Sequence, residues 1–161
     1  MKLILLLIAV AAFPATMASA EDNVAVTSYY DSKGKMNSVK LPYIIDPAKI
    51  QYGAKFGITV YHLEVNDCRL DVSDELPEYF AACIALPDDC DPIDVVKDAI
   101  AQGADFVFIN LSRIDDYSAL VSKTFDVPVF PMDKIYDEDV FKLGETEYGH
   151  RYINVEFIIV T

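Results

Sequence analysis

Residues 91–133 constrain the fold of this chain more than any other stretch. Asp91 predicts the start of a helix, because its carboxylate can cap the first turn and Pro92 suits the first helical position. Apolar residues then recur at helical spacing as far as Gly103. An apolar strand, an amphipathic helix and a β-branched strand are predicted next, at residues 106–109, 117–125 and 127–130. This alternation predicts an α/β fold, a parallel doubly wound (Rossmann-like) sheet flanked by helices.

The first 20 residues have the features of a signal peptide. Lys2 supplies a positive charge, an apolar run follows at residues 3–13, and small residues occupy positions 18–20. The apolar run is shorter than the ~20 residues that a membrane-spanning helix needs. The sequence therefore predicts cleavage after Ala20 and a periplasmic or secreted protein.

Two further parts follow the signal peptide. Residues 21–50 are polar and contain two prolines, which predicts an N-terminal arm laid over the domain and outside its core. Residues 51–161 are predicted to form the α/β lobe, whose first strand is at residues 56–63. At residues 151–161, β-branched and aromatic residues alternate with other residues, which favours a closing strand over a helix.

The stretch between the first strand and Asp91 has weaker signals. Ser73 could cap a short helix that Pro77 would limit to little more than one turn. Residues 81–86 form a short apolar run, for which a buried strand is favoured over a helix end.

Charge narrows the range of partners. The chain has 13 basic and 26 acidic residues and a formal net charge of −13. A surface this acidic repels nucleic-acid phosphates and anionic lipids. The acidic runs lack the alternating oxygen ligands and turn glycine of a calcium loop, so no metal site is predicted.

The three cysteines are Cys68, Cys83 and Cys90. In an exported protein one pair can form a disulfide and one thiol is left over, but spacing alone does not choose the pair. The cysteines form no C-x-x-C motif, and neither histidine stands at zinc-ligand spacing from them. A structural role is therefore favoured.

In doubly wound sheets, ligands bind beyond the carboxyl ends of the strands. Here that rule points to residues 61–67, 110–113 and 132–134, all of which include hydrogen-bonding side chains. The sequence predicts a ligand site at this edge.

Four motifs resemble the amino-terminal lobe of periplasmic sugar-binding proteins, the type I solute receptors of ABC transporters. They are Asp91-Pro92, the DAIAQGAD run at residues 98–105, Ile109-Asn110 and the VPVFPMD run at residues 127–133. The resemblance covers residues 55–133. It implies a domain that binds a small polar ligand, such as a sugar, for transport or sensing. The implied partner is an ABC transporter or a sensor component of the membrane. Such receptors enclose the ligand between two lobes, and the resemblance implies a truncated receptor in which this chain supplies the amino-terminal lobe only.

The resemblance also implies ligand-binding residues. Asp133 and Lys134 stand where the family has an Asp-Arg pair that contacts sugar hydroxyls, with lysine losing the bidentate fork of arginine. Asn110 matches an asparagine at the end of the family's strand. In the first loop, Tyr61 could stack on a sugar ring and Asn66 could bond to its hydroxyls.

Two other functions compete with this one. A truncated receptor lobe could be an interaction protein that self-associates as a homo-oligomer through its uncovered face. A small flavodoxin-like or sulfur-relay enzyme would need Cys68 as its nucleophile. No nucleophile-base pair, phosphate loop or dinucleotide fingerprint is recognisable, so neither catalysis nor a cofactor is expected.

Overall fold

The computed structural model describes residues 23–30, 33–72, 75–132 and 150–159. Within these ranges the elements are β1 (Val24–Tyr30), β2 (Met36–Pro42), a 3₁₀ turn (Pro47–Lys49), β3 (Lys55–Asn66), β4 (Arg69–Asp71), β5 (Ala81–Ala85), α1 (Pro92–Ala101), β6 (Phe106–Asn110), α2 (Ile114–Val121), β7 (Val129–Met132) and β8 (His150–Phe157). In this part of the chain, no helix is both long enough and apolar enough to cross a membrane.

Seven strands form a mixed sheet in the order β2-β1-β8-β3-β5-β6-β7, and β4 pairs with β3 as a hairpin. Strands β3, β5, β6 and β7 are parallel to one another. Strand β8 is antiparallel to both β1 and β3, and β2 is antiparallel to β1. The prediction of a parallel doubly wound sheet, as in one lobe of a type I receptor, is wrong.

The sheet curls until its two edges nearly meet. After β2, the backbone N–H of Ile44 donates to the oxygen of Val129 in β7 at 2.8 Å, and the reverse bond is 2.9 Å. The rings of Phe106 in β6 and Phe157 in β8 lie 5.8 Å apart although β3 and β5 separate their strands. Three strand spacings in a flat sheet would separate them by roughly 14 Å. The sheet is therefore barrel-like, and its interior is one of two cores.

The interior core is formed by one face of the strands and by the segment that follows β2. Its buried members are Ala25, Tyr29, Leu41, Tyr43, Ile45, Ile58, Val60, Ala81, Cys83, Phe106, Phe108, Phe130, Met132, Ile153, Val155 and Phe157. The second core lies where α1 and α2 cover the outside of the parallel strands, and it includes Ala82, Ile84, Val95, Val96, Ala99, Val107, Ile109, Leu120 and Val129.

Several predicted elements are confirmed. The Asp91 side chain accepts a hydrogen bond from the Ile93 N–H at 2.9 Å, and α1 begins at Pro92. Strand β6 is buried along its whole length, as its apolar sequence predicted. The strand expected at residues 81–86 is β5, and the closing strand expected at residues 151–161 is β8.

The fold class was wrong because burial on both faces of a strand has two solutions. A helix layer can cover the second face, or the sheet can curl so that its own strands cover it. Here α1 and α2 cover the outer face of β6, and the barrel interior covers the other. The connection from β3 to β5 contains β4, and its described part holds no helix, in contrast to the helix expected before Pro77.

The expectation that the N-terminal residues form an arm outside the core is also wrong, because β1 and β2 are strands of the sheet. In β1 the side chains alternate, with Ala25, Thr27 and Tyr29 buried. Leu41 at the end of β2 has no exposed surface. The inward residues of β1 include a threonine and a tyrosine. A count of apolar residues therefore did not detect the alternation of inward and outward side chains that marks this strand.

A disulfide joins Cys68, in the turn between β3 and β4, to Cys90 just before α1. The turn has an uncommon backbone, since Asp67 and Cys68 have φ angles of 52° and 59°. Cys83 is buried and lies outside this disulfide. The pairing that spacing left open is therefore Cys68 with Cys90.

The inward and outward positions of β8 give a matched test of the barrel. Ile153 is fully buried in the interior core and its neighbour Asn154 is exposed. We expect Ile153→Ala to lower the free energy of unfolding by about 2–4 kcal/mol, because it leaves a cavity. Asn154→Ala is the control and should change it by less than about 0.5 kcal/mol. Urea unfolding monitored by circular dichroism measures both, and equal losses would contradict the inward placement of Ile153.

The disulfide is expected to stabilise the fold by restricting the unfolded chain. Cys68 and Cys90 are 22 residues apart, and a loop of this size corresponds to about 3 kcal/mol. We expect the double variant Cys68→Ser/Cys90→Ser to have a free energy of unfolding that is lower by about 3 kcal/mol, measured by urea denaturation. Under denaturing conditions without reductant, alkylation should modify Cys83 alone. Modification of Cys68 or Cys90 in that experiment would contradict the pairing.

Candidate functional site

A pocket of about 440 Å³ opens at one end of the barrel, where the parallel strands β3, β6 and β7 begin. Its apolar and aromatic walls are Tyr43, Ile45, Ala48, Ile50, Phe56, Tyr79, Phe106, Val127, Pro128 and Phe157. Its charged and amide groups are Lys49, Gln51, Asp105 and Asp126. The pocket is therefore mainly apolar, with polar groups from the loops that connect the strands.

Three phenylalanine rings meet edge to face in the wall of the pocket. The centroid distances are 5.7 Å from Phe56 to Phe106, 5.8 Å from Phe56 to Phe157 and 5.8 Å from Phe106 to Phe157. Tyr43 adds a fourth ring, 5.0 Å from Phe157. Edge-to-face pairs are favourable arrangements for aromatic rings, so this cluster is a firm apolar surface.

Strand register places these rings at one level. Phe56 is near the start of β3, Phe106 is the first residue of β6, and Phe157 is the last residue of the antiparallel β8. All three belong to the interior face. The sequence signal for this site was the set of aromatic residues at inward positions, near the beginning of parallel strands and at the end of an antiparallel strand. Recognising this signal required knowledge of the strand order.

The polar groups at the rim are partly paired. Lys49 forms an ion pair with Asp126, with nitrogen and oxygen 3.0 Å apart. Asp105 accepts a hydrogen bond from the backbone N–H of Phe80 at 3.1 Å. Burial raises the pKa of Tyr79, and the nearby charge of Asp105 raises it further. Tyr79 is therefore a neutral phenol close to a carboxylate at neutral pH.

Tyr43 is almost fully buried, and its hydroxyl has no hydrogen-bond partner among the described residues. Burial, followed by the influence of Tyr52, raises the Tyr43 pKa from 10.0 to about 12. The Tyr52 hydroxyl is itself occupied, because it donates to the Asn23 side chain at 2.6 Å. Tyr43 thus stays un-ionised far above neutral pH and contributes chiefly its ring to the pocket.

The described lining residues lack the groups most often used in covalent catalysis. They include no serine, threonine, cysteine or histidine, the usual partners in a nucleophile-base pair. Cys68, the nucleophile that an enzyme would have required, is bonded to Cys90. Among the described residues, Cys68, Asp89 and Cys90 form a group spaced like metal ligands, but both sulfurs belong to the disulfide.

The predicted binding residues lie elsewhere. Tyr61 is half-buried on β3 with its ring 6.0 Å from that of Phe80, and the Asn66 amide donates to Asp71 at 3.1 Å. Asn110 is buried at the end of β6, and its side-chain oxygen has no partner among the described residues. None of these lines the pocket, which is at the opposite ends of the strands. Asp133 and Lys134 lie outside the described residues.

At the predicted edge the polar side chains bond to one another. Ser112 donates to Asp88 at 2.7 Å. The Arg113 guanidinium donates twice to the Asp116 carboxylate, at 3.1 and 3.0 Å, and this hydrogen bonding raises the Arg113 pKa. The first bond joins the loops that follow β5 and β6, and the second pair lies at the start of α2.

The buried Tyr43 hydroxyl leads to a pH prediction. Between pH 10 and 12 the unfolded chain releases the Tyr43 proton and the folded protein keeps it, so stability falls as pH rises through this window. The full loss corresponds to about 3 kcal/mol. We expect Tyr43→Phe to fold at pH 7 with undiminished stability, since no described hydrogen bond is lost, and to lose less stability from pH 10 to 12. Urea unfolding of both proteins at these pH values measures the difference, and identical pH profiles would contradict it.

Comparison with known proteins adds no family to this description. No protein-family model and no curated protein matches the chain. The resemblance to type I solute receptors stays a prediction that rests on its motifs.

Proposed function

We propose that this protein is an exported small-molecule-binding protein whose ligand occupies the pocket at the amino ends of the parallel strands. The observation that carries the proposal is a pocket of about 440 Å³ with aromatic walls and a few polar groups at its rim. Ligand sites in proteins typically have volumes of roughly 300–1,000 Å³ and this same division between apolar walls and a small number of polar groups.

Two observations support export. The first 20 residues have the composition of a signal peptide. The disulfide between Cys68 and Cys90 is of a kind that persists in oxidising compartments and is rare in the cytosol.

The walls of the pocket favour a ligand that is less polar than a sugar. A sugar presents hydroxyl groups on most of its surface, and each hydroxyl that is buried without a partner costs about 1–3 kcal/mol. The walls formed by Phe56, Phe106 and Phe157 offer no hydrogen bonds to such groups. A ring compound with a largely apolar surface fits these walls better. The transporter or sensor partner implied by the family resemblance remains a prediction.

Self-association has weaker support than ligand binding. Tyr30 and Met36 are exposed and lie opposite each other on β1 and β2. Around them the outer face carries polar residues: Ser28 and Ser38 share a hydrogen bond of 3.0 Å, and Asn154 is exposed. Tyr152 on β8 is exposed as well, so this face carries a few apolar side chains interspersed with polar ones.

Binding by simple ring compounds tests the proposal. We expect phenol and cyclohexanol to bind with dissociation constants below roughly 1 mM and to shift the amide resonances of pocket residues in ¹H–¹⁵N NMR spectra. Ile50→Trp should weaken this binding at least about tenfold, because Ile50 is a half-buried wall residue and the indole would fill the pocket.

Met36→Trp is the matched control, since it adds the same indole at an exposed position that does not line the pocket. It should leave the affinities unchanged. Absence of saturable shifts with either compound, or equal binding by the Ile50 variant and the wild type, would overturn the proposal. Glucose is included as a polar ring, and tighter binding of glucose than of phenol would contradict the apolar ligand.

A further inference from the structure

We infer that the pocket selects small organic cations, compounds in which an ammonium group is attached to an apolar body. The inference rests on the proposed function and specifies the ligand class for the same pocket. Its basis is the placement of a carboxylate, which forms no ion pair among the described residues, beside an aromatic ring at the edge of an apolar cavity.

Asp105 is the carboxylate. It immediately precedes β6, and it is a pocket residue of intermediate exposure. One of its oxygens accepts the Phe80 N–H, which fixes the side chain next to Tyr79. No lysine or arginine forms an ion pair with Asp105 in the described part of the chain. Its negative charge is therefore available to a ligand.

The other two charges of the lining neutralise each other. Lys49 and Asp126 form their ion pair across the rim at 3.0 Å. An anionic ligand would have to share Lys49 with Asp126 and would also meet the Asp105 carboxylate in the same pocket. A cationic ligand can leave the pair intact.

Tyr79 supplies the aromatic ring. It lines the pocket, it is 44% exposed, and it is close enough to Asp105 for the carboxylate to influence its ionisation. A cation near an aromatic face gains about 0.5–1 kcal/mol at exposed sites and more when water is excluded. A carboxylate and a ring acting on one ammonium group combine a charge-assisted hydrogen bond with this attraction.

The charge of the whole chain acts in the same direction. The formal net charge of −13 attracts cations and repels anions before either reaches the pocket. The aromatic walls then take up the apolar body of the ligand.

Three compounds with the same phenyl group test the charge preference by isothermal titration calorimetry at pH 7: 2-phenylethylamine, 2-phenylethanol and 3-phenylpropionate. We expect the amine to bind roughly tenfold more tightly than the alcohol, and the carboxylate most weakly. Raising the salt concentration should reduce the advantage of the amine.

Asp105→Asn tests the assigned carboxylate while retaining an oxygen that can accept the Phe80 N–H. It should weaken amine binding about tenfold and bring the ratio of amine to alcohol affinity close to one. Asp94→Asn is the matched control, because it removes the same charge from an exposed position on α1 that does not line the pocket. It should preserve the ratio.

The outcomes separate the inference from the proposed function. If none of the three compounds binds, both are overturned. If the alcohol or the carboxylate binds at least as tightly as the amine, the cation preference is wrong and the pocket remains a ligand site. If Asp105→Asn and Asp94→Asn change the ratio equally, Asp105 is not the recognising group.

Discussion

The pairing of β8 with both β1 and β3 is the interaction on which the rest of the structure depends. Strands β1 and β2 form an antiparallel hairpin, and β3, β5, β6 and β7 form a parallel block. β8 lies between them and hydrogen-bonds to each. Its inward residues Ile153, Val155 and Phe157 face the interior core. Without β8 the hairpin would remain joined to the block chiefly by the short contact of Ile44 with Val129.

The pocket is a consequence of how the barrel interior is filled. Deeper in the interior, the Phe108 and Phe130 rings stack with their centroids 4.5 Å apart. Towards the end where the parallel strands begin, Phe56, Phe106 and Phe157 meet edge to face and line an opening. The loops at that end add the charged groups. A barrel with large rings at one level therefore produces an apolar cavity with a polar edge, without any element dedicated to the site.

Local structure was predictable where one sequence signal had one physical meaning. Asp91 and Pro92 start α1 because a capping carboxylate and a fixed φ angle act within one turn of the chain. The architecture was not predictable from β6, because a second helix layer and a curled sheet can each bury both faces of its apolar run. Strand β1 was missed because Thr27 and Tyr29 occupy inward positions that a count of apolar residues treats as polar or ambiguous. A site was expected at the carboxyl ends of the parallel strands because that expectation assumed a doubly wound sheet, whereas the pocket opens where these strands begin.

The two ends of the barrel differ in how their polar groups are used. Beyond the carboxyl ends of β3, β5 and β6, the disulfide joins Cys68 to Cys90, and Arg113 holds Asp116 through two hydrogen bonds. Each of these four groups is satisfied by another group of the chain, which reduces what it can offer to a ligand, whereas the buried side-chain oxygen of Asn110 has no partner among the described residues. At the opposite end Asp105 keeps a charge that no described cation neutralises, next to walls that expose aromatic surface. A residue type shows that a side chain can form hydrogen bonds, but only the three-dimensional arrangement shows which of these side chains already have partners within the chain.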